Sequence, residues 1–367
     1  MEGTLRDGVV HVGGNARQQF HDARGYGRPL GGNEIELAPV EAAHLLFRGS
    51  LTAVETDGTH EGDRLGFRQF LDYASREVGD RFELRFLTYV DLRNRGFYCS
   101  PVREGWGTER SDEGSNKTDF VVYERGTGPA DGNIAYRIRV VGERERIAAS
   151  ELGAVVLSIV DEESEVTYLE TERPSIDGAT ETELPTDVPA RLLTDRVLAW
   201  EYPETLYEQS FFGRPLGERD ELLQLSLVEA AYLTARGVLD IDQLELEGSQ
   251  TQTGDTGYDA VVERGRQVEG ERFDRRLRTY TELRERRVVP KTGFKFGADF
   301  RTYADVTSVD ELSHSELLVR VLPEDHTFHP RDLALDVRLA GGVRKRMLFA
   351  RDDGNGIDWL AVGRLTP

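Results

Sequence analysis

The chain repeats itself once, and that duplication constrains its fold more than any other feature. Gly27-Arg28-Pro29-Leu30-Gly31 returns as Gly213-Arg214-Pro215-Leu216-Gly217. Val40-Glu41-Ala42-Ala43 returns as Val228-Glu229-Ala230-Ala231, and Thr88-Tyr89-Val90-Asp91-Leu92-Arg93 as Thr279-Tyr280-Thr281-Glu282-Leu283-Arg284. The displacements are 186, 188 and 191 residues. Three matches in order, drifting by small insertions, mark duplication of a unit of about 185 residues.

Periodicity supports the equivalence. Phe82, Phe86, Tyr89 and Leu92 have the same 4-3-3 spacing as Phe273, Leu277, Tyr280 and Leu283. Each set makes one apolar stripe of a helix, which predicts a core-facing helix in each half. Residues 228–235 predict a further helix after a Gly/Pro turn, and the polar, Gly-rich stretches 58–66 and 248–257 predict loops. In the second half, Phe294, Phe296, Ala298 and Phe300 alternate with Lys295, Gly297, Asp299 and Arg301, a strand pattern. Residues 317–322 predict another strand, 331–340 a helix ended by Gly341-Gly342, and 347–350 a strand. Each half is therefore a mixed α/β unit with an N-terminal and a C-terminal part. The acidic stretch 177–187, containing Pro185, divides the halves.

Composition bounds the setting. The 367 residues carry 67 acidic against 46 basic side chains, a net charge of -21. Only Lys117, Lys291, Lys295 and Lys345 are lysines; the other basic residues are arginines. A general avoidance of anions would explain the acid excess, but lysine depletion beside it favours adaptation to a salt-rich cytoplasm. The single cysteine, Cys99, excludes an internal disulfide and a multi-cysteine metal site. No apolar run suits a signal peptide or a spanning helix, so the expectation is a soluble cytoplasmic protein without membrane contact.

The second half holds the chemistry-bearing residues. By strand parity Tyr303 shares the polar face with Lys295, Asp299 and Arg301, where it is open to chemistry. His314 lies eleven residues on, and Lys345 thirty-one beyond His314, each at the start of a strand. Histidine titrates in the useful range for acid–base work, and a lysine can act as a fixed cation. Tyrosine, with a pKa of ~10, is an awkward base without neighbouring cations. Taken singly, each of the three is as readily a structural group. Arg275, Arg276, Arg278, Arg284, Arg286 and Arg287 cluster on the second core-facing helix; a nucleic-acid face and a solvated helix face both fit them. His326 and His329 read as a surface turn, and Gly293 and Gly297 as glycines that permit close strand packing.

The run KTGFKFGADFRTY (291–303), then HSE (314–316, read with its flanking serine), then RLAGGVRKR (338–346) resembles the signature of archaeal tRNA-intron endonucleases in order and spacing. The likeness covers essentially the whole chain and points to the duplicated-unit, homodimeric type, from a halophilic archaeon. Gly341-Gly342 is a departure, where a bulkier pair is expected. The resemblance implies two tandem repeats, each an N-terminal α+β subdomain followed by a C-terminal nuclease-like subdomain with a mixed sheet. It implies a non-catalytic scaffold repeat at 1–176 (subdomains 1–80 and 81–176), a linker at 177–190, and a catalytic repeat at 191–367 (191–270 and 271–367). It implies a catalytic triad of Tyr303 as general base, His314 as general acid and Lys345 as transition-state stabiliser. It also implies RNA contacts from Arg338 and Arg364, which sandwich an unstacked base. The resemblance further implies that the acidic loop Asp161-Glu162-Glu163 docks on the partner chain. The implied substrate is precursor tRNA, and precursor rRNA with the same bulge-helix-bulge motif, cut without metal or other cofactor to leave 2′,3′-cyclic phosphate and 5′-hydroxyl ends.

The first half lacks the same groups. Aligning 138–140 with 319–321 sets Asn133 against His314, and aligning the acidic loops at Asp161 and Asp352 sets Ala154 against Lys345. Two other functions compete. A metal-dependent nuclease usually gathers carboxylates, often as Glu-x-Lys, and no lysine here follows an acid by two. A catalytically dead RNA-binding subunit is disfavoured by the complete Tyr/His/Lys set.

Overall fold

The computed structural model describes residues 1–56, 64–79, 81–103, 117–217, 222–242, 257–312, 314–352, 354 and 356–367. The loops expected at 58–66 and 248–257 fall mainly outside the described residues; Arg64–Leu65 is a short strand paired with Ala53–Thr56. The chain divides into two compact units. One comprises Met1–Glu172, Thr327–Leu335 and Gly363–Pro367; the other comprises Arg173–His326 and Asp336–Val362. Both mix helices and sheets.

The first unit opens with the sheet Arg28–Pro29, Ile35–Leu37, Val9–Val12, Glu2–Arg6, Ala53–Thr56 and Arg64–Leu65, in that spatial order. The helix Pro39–Phe47 packs with it, and the helix Phe82–Asn94 leads to a second strand set. That set runs Val166–Glu172, Val156–Val160, Ile134–Gly142, Phe120–Tyr123 and Cys99–Pro101. Its middle pair, Ile134–Gly142 with Val156–Val160, is parallel, and the pairs beside it are antiparallel. The second unit repeats the plan. Its opening sheet is Arg214–Leu216, Leu222–Ser226, Arg196–Trp200, Val188–Leu192 and Leu239–Asp242, packed with the helix Leu227–Thr234. After the helix Arg272–Glu285 come Val289–Thr292, Phe300–Tyr303, Leu317–Leu322, Arg346–Asp352 and the strand Ile357–Leu365. Here too the parallel pair, Leu317–Leu322 with Arg346–Asp352, sits between antiparallel neighbours. A parallel pair needs a crossover, and the helix Pro330–Gly342 lies in it.

The two stripes are core. Phe82, Phe86, Tyr89 and Leu92 are buried with Phe120, Val122, Ile138 and Val156; Phe273, Leu277, Tyr280 and Leu283 are buried with Phe300, Val319 and Leu348. The helix ends repeat as well. At Gly96 and Phe97 the backbone N–H groups donate to Arg93 O and Leu92 O, and at Arg287 and Val288 they donate to Arg284 O and Leu283 O. Both ends are thus closed by the same left-handed cap, with φ 89° at Gly96 and 63° at Arg287. In the stretch expected as linker, Gly178 N donates to Arg286 O and Ala179 N to Ala304 O, and Val188 already begins a strand. Hydrogen bonding therefore builds that stretch into the second unit.

The recurring Gly-Arg-Pro-Leu-Gly and Val-Glu-Ala-Ala motifs meet in space. Glu41 Oε1 accepts from Gly27 N at 2.8 Å, and its Oε2 from Ala38 N at 2.9 Å. Glu229 does the same with Gly213 N and Ser226 N, both at 3.0 Å. One carboxylate caps its own helix and pins the turn before it. The turn requires glycine twice over. Gly27 and Gly213 have φ 65° and 62°, and an added Cβ would meet Glu36 O at 2.3 Å and Gln224 O at 2.6 Å.

The two pins differ in charge compensation. Lys291 Nζ donates to Glu229 Oε1 at 2.8 Å, Gly213 O at 2.9 Å and Phe211 O at 3.1 Å. Burial opposes the charge on Glu229, yet Lys291 and the backbone donors hold its carboxyl down at about 2. The repeat offset sets Ser100 at the place of Lys291, so Glu41 has no such cation, and burial pushes its carboxyl up to about 7. A depressed carboxyl contributes stability that is present above its unfolded pKa and lost as pH falls through the folded one. Lys291→Met should therefore destabilise the second unit by about 3–5 kcal/mol at pH 7, the range for stranding a buried charge. The gap to wild type should narrow as pH falls from neutral toward the ordinary glutamate range, because burial without the lysine raises the carboxyl, as it does at Glu41, and Glu229 of the variant takes up its proton there. Denaturant unfolding at pH 7 and pH 4 reads both effects; an equal loss at the two pH values contradicts the pairing.

Candidate active site

The catalytic-repeat signature folds differently from its alternating pattern. Phe294–Phe296 is a single 3-10 turn closed by Gly297 at φ 69°, and the strand begins only at Phe300. Phe294, expected on a buried strand face, is 85% exposed. Gly293 sits where an added Cβ would meet Ala298 O at 2.8 Å, so close backbone approach explains that glycine. Asp299 is buried and structural. Its Oδ2 accepts from Val321 N at 2.9 Å, and its Oδ1 is paired with Arg272 and Arg276. Asp119 repeats this in the first unit, accepting from Val140 N and pairing with Arg85.

Tyr303 ends the strand Phe300–Tyr303. It keeps the face of Arg301, whose guanidinium lies 5.7 Å from its ring centroid, but that face is not open. Tyr303 is 6% exposed, packed with Phe211, Val289 and Val306, its ring edge-on to Phe211 at 5.6 Å. The polar-face expectation is corrected on this point: a segment about ninety residues earlier in the chain covers the tyrosine. His314 is exposed, three residues before the strand Leu317–Leu322. Lys345 immediately precedes the strand Arg346–Asp352.

Strand register brings these positions to one end of the sheet. Thr302 pairs with Leu317 and Leu317 with Arg346. Continuing by one residue sets Tyr303 on one side of Glu316 and Lys345 on the other, with Arg346 N donating to Glu316 O at 3.0 Å. Their backbones are thus about two strand spacings, ~10 Å, apart, with His314 two residues before the midpoint. Lys345 Nζ donates to Ser315 O and lies 5.6 Å from the Phe296 ring centroid. Its backbone is fixed by the cap of the preceding helix. Arg344 N donates to Gly341 O at 3.0 Å and Lys345 N to Ala340 O at 2.9 Å, with Arg344 at φ 56°. A non-glycine residue in that conformation costs about 1–2 kcal/mol, which the packed crossover offsets.

The first unit carries a similar frame in which only the tyrosine is kept. Asp119 N donates to Ile138 O as Asp299 N donates to Val319 O, which fixes Ile138 as the equivalent of Val319 and Asn133 as that of His314. Val156 pairs with Ile138 and Leu348 with Val319, so Gly153, rather than the aligned Ala154, stands for Lys345. Phe120 pairs with Ile138 as Phe300 pairs with Val319, so counting along the strand sets Tyr123 at the place of Tyr303, with a bulge at Val122/Tyr123 that moves its partner to Ile134. Tyr123 donates to Ser100 Oγ at 3.2 Å. The sequence does not display the retained tyrosine, because residues 104–116, which lie outside the described ones, share no pattern with 291–299.

The helix arginines are occupied by the protein itself. Arg276 and Arg278 pair with Glu269 and Asp352, Arg286 with Glu282 at 2.8 Å, and Arg287 with Glu181 at 3.3 Å. Arg275 lies 3.9 Å from Glu271, and Arg284 is buried against Tyr280 and Ser210 O. Arg338, on the crossover helix, and Arg364, near the C-terminus, are both exposed. Asp161 Oδ1 accepts from Glu163 N and Glu165 N, both at 2.9 Å, and so holds the acidic turn; Glu162 pairs with Arg144. Among the described residues no three His, Cys, Asp or Glu side chains gather as metal ligands, and no helix is long and apolar enough to cross a membrane.

Comparison with known proteins identifies the class. The family model for the tRNA intron endonuclease catalytic C-terminal domain matches residues 273–359. The model for the N-terminal domain of the same family matches twice, at 1–71 and 188–249, one match in each repeat. Proteins named tRNA-splicing endonuclease from Haloarcula marismortui and Natronomonas pharaonis are 54% and 55% identical, each over 100% of both chains. One from Methanococcoides burtonii is 38% identical over 98% of both. The chain belongs to the tRNA intron endonuclease family and is an endonuclease of tRNA splicing.

Proposed function

We propose that the protein excises introns from precursor tRNA by cutting both splice sites of a bulge-helix-bulge RNA, leaving 2′,3′-cyclic phosphate and 5′-hydroxyl ends without a metal ion. Precursor rRNA with the same motif is a substrate of the same chemistry. The observation that carries this reading is the strand register: Tyr303 and Lys345 flank Glu316, and His314 stands two residues before it. Tyr303 takes the 2′-hydroxyl proton as that oxygen attacks the adjacent phosphorus. His314, exposed to substrate, gives a proton to the leaving 5′-oxygen. Lys345, tied by Ser315 O and by the helix cap, offers a fixed cation to the charge on the non-bridging oxygens. Arg301 over the Tyr303 ring supplies a cation near an otherwise weak base. Arg338 and Arg364, both exposed, each offer a guanidinium plane to an unstacked bulge base.

Tyr303→Phe, His314→Ala and Lys345→Ala should each reduce single-turnover cleavage on the order of 10²-fold or more, with circular dichroism unchanged. An RNA with 2′-deoxyribose at the scissile nucleotide should resist the wild-type enzyme. Near-normal cleavage by any one variant removes that residue from the mechanism, and normal cutting of the deoxy substrate removes internal attack.

The working unit is a homodimer, because one chain has one complete set of catalytic groups and the substrate has two scissile bonds. The turn Asp161-Glu162-Glu163 docks on a basic surface of the partner. Asp161 holds the turn and Glu162 and Glu163 are exposed, so the charge test belongs at the latter two. Isolated surface ion pairs contribute only ~0–1 kcal/mol, so the interface must also bury apolar surface. Light scattering should give a dimer for wild type and a weaker dimer for Glu162→Ala/Glu163→Ala. A monomeric wild type overturns the dimer; an unweakened variant dimer overturns the role of the turn.

A further inference from the structure

We infer that the first unit contains a phosphate-binding cavity, sharing no residue with the proposed catalytic set, whose lining groups are not repeated at the equivalent positions of the second. The cavity, about 370 Å³, lies in the first unit where the helices Pro39–Phe47 and Phe82–Asn94 approach the turn before Gly27. Three arginines line it: Arg24, Arg48 and Arg93. In a protein of net charge -21, none of the three has a carboxylate in ion-pair contact among the described residues. Arg93 is held over the Tyr26 ring at 4.0 Å and donates one Nη2 bond to Arg24 O, while its buried Nη1 has no partner. His44, 3% exposed, also lines the cavity. Its Nδ1 is 2.9 Å from Tyr26 Oη, and its buried Nε2 has no partner. With the tyrosine hydroxyl donating to Nδ1, Nε2 carries the proton. In that tautomer the unpartnered Nη1 of Arg93 and Nε2 of His44 are two buried donors under two exposed guanidinium groups, an arrangement that suits an oxyanion.

The duplication supplies an internal control. At the same repeat positions the second unit has Phe212 for Tyr26, Tyr232 for His44, Arg236 for Arg48, Arg284 for Arg93 and Glu285 for Asn94. There every group is satisfied. Arg284 spends its donors on Tyr280 Oη and Ser210 O, Phe212 stacks on Tyr232, and Arg236 pairs with Glu285 at 3.1 Å while covering the Tyr232 ring at 3.7 Å. The second unit is closed by a bulkier aromatic and an internal counter-ion. The first has a smaller ring and a neutral asparagine, so its positive charge needs a counter-ion from outside. The ligand chemistry is a phosphate group, from the RNA backbone or from a small phosphate compound. This site shares no residue with the proposed triad, and its test uses no cleavage.

Two variants leave the buried frame intact: Arg24→Ala/Arg48→Ala removes the exposed cations, and Asn94→Glu installs the counter-ion of the second unit. Arg68→Ala/Arg76→Ala, on the exposed face of the helix Phe67–Glu77, controls for net charge. Inorganic phosphate, titrated at constant ionic strength, should raise the Tm of wild type and of the control, and of neither site variant. Affinity for an RNA blocked by 2′-deoxyribose at both scissile nucleotides is measured in parallel. A roughly 10-fold or larger loss in the site variants, with a salt slope smaller by about 1, assigns the cavity to the RNA backbone. Unchanged RNA affinity with a lost phosphate response assigns it to a free phosphate compound. A phosphate response equal in wild type and both site variants, absent from wild type, or lost equally in the control overturns the site.

Discussion

The fold of the catalytic unit hangs on one buried carboxylate. Glu229 ties together the turn at Gly213, the start of its own helix at Ser226 and, through Lys291, the first strand of the catalytic sheet. That strand, Val289–Thr292, pairs with Phe300–Tyr303, so the contact that seats Lys291 also sets the position of Tyr303. Lys291 bonds to Phe211 O, and the Phe211 ring covers Tyr303. Breaking a buried pair of this kind strands a charge, whereas replacing both partners would not. The unit is thus built so that its N-terminal turn and its catalytic strand cannot shift independently.

The first unit keeps the geometry and changes the electrostatics. Glu41 makes the two backbone contacts of Glu229 without a lysine, and Asp119 repeats the strand-end contacts of Asp299. Asn133 and Gly153 replace His314 and Lys345 in the frame, while Tyr123 persists as a hydrogen-bonded core tyrosine. A tyrosine buried among apolar groups serves packing whatever else it does, which gives Tyr123 a structural use of its own. This unit also has an arginine-lined cavity, at whose positions the second unit holds Phe212 stacked on Tyr232 and the Arg236–Glu285 pair.

Much of this was legible in the residues. The two 4-3-3 stripes became the core helices, the helix at 228–235 was found at Leu227–Thr234, and the strand at 317–322 was found at Leu317–Leu322. These are local patterns backed by repetition. The alternation at 294–301 misled because Gly297 turns the chain through a left-handed conformation, which resets the side-chain parity. The burial of Tyr303 depends on Phe211, and the role of Lys291 on Glu229, contacts between residues far apart in sequence that no periodicity displays. The arginines of the second core helix looked like a nucleic-acid face because their carboxylate partners, Glu269, Asp299 and Asp352 among them, lie on other elements.

The central claim is that side chains alone perform the cleavage, with the 2′-hydroxyl as nucleophile. It is tested most directly by incubating the wild-type protein with a bulge-helix-bulge RNA in excess chelator and analysing the product ends. The account predicts undiminished cutting at both splice sites, with 2′,3′-cyclic phosphate on the 5′ fragments and 5′-hydroxyl on the 3′ fragments. Loss of cleavage on chelation, restored by a divalent cation, or products with 5′-phosphate ends would contradict it.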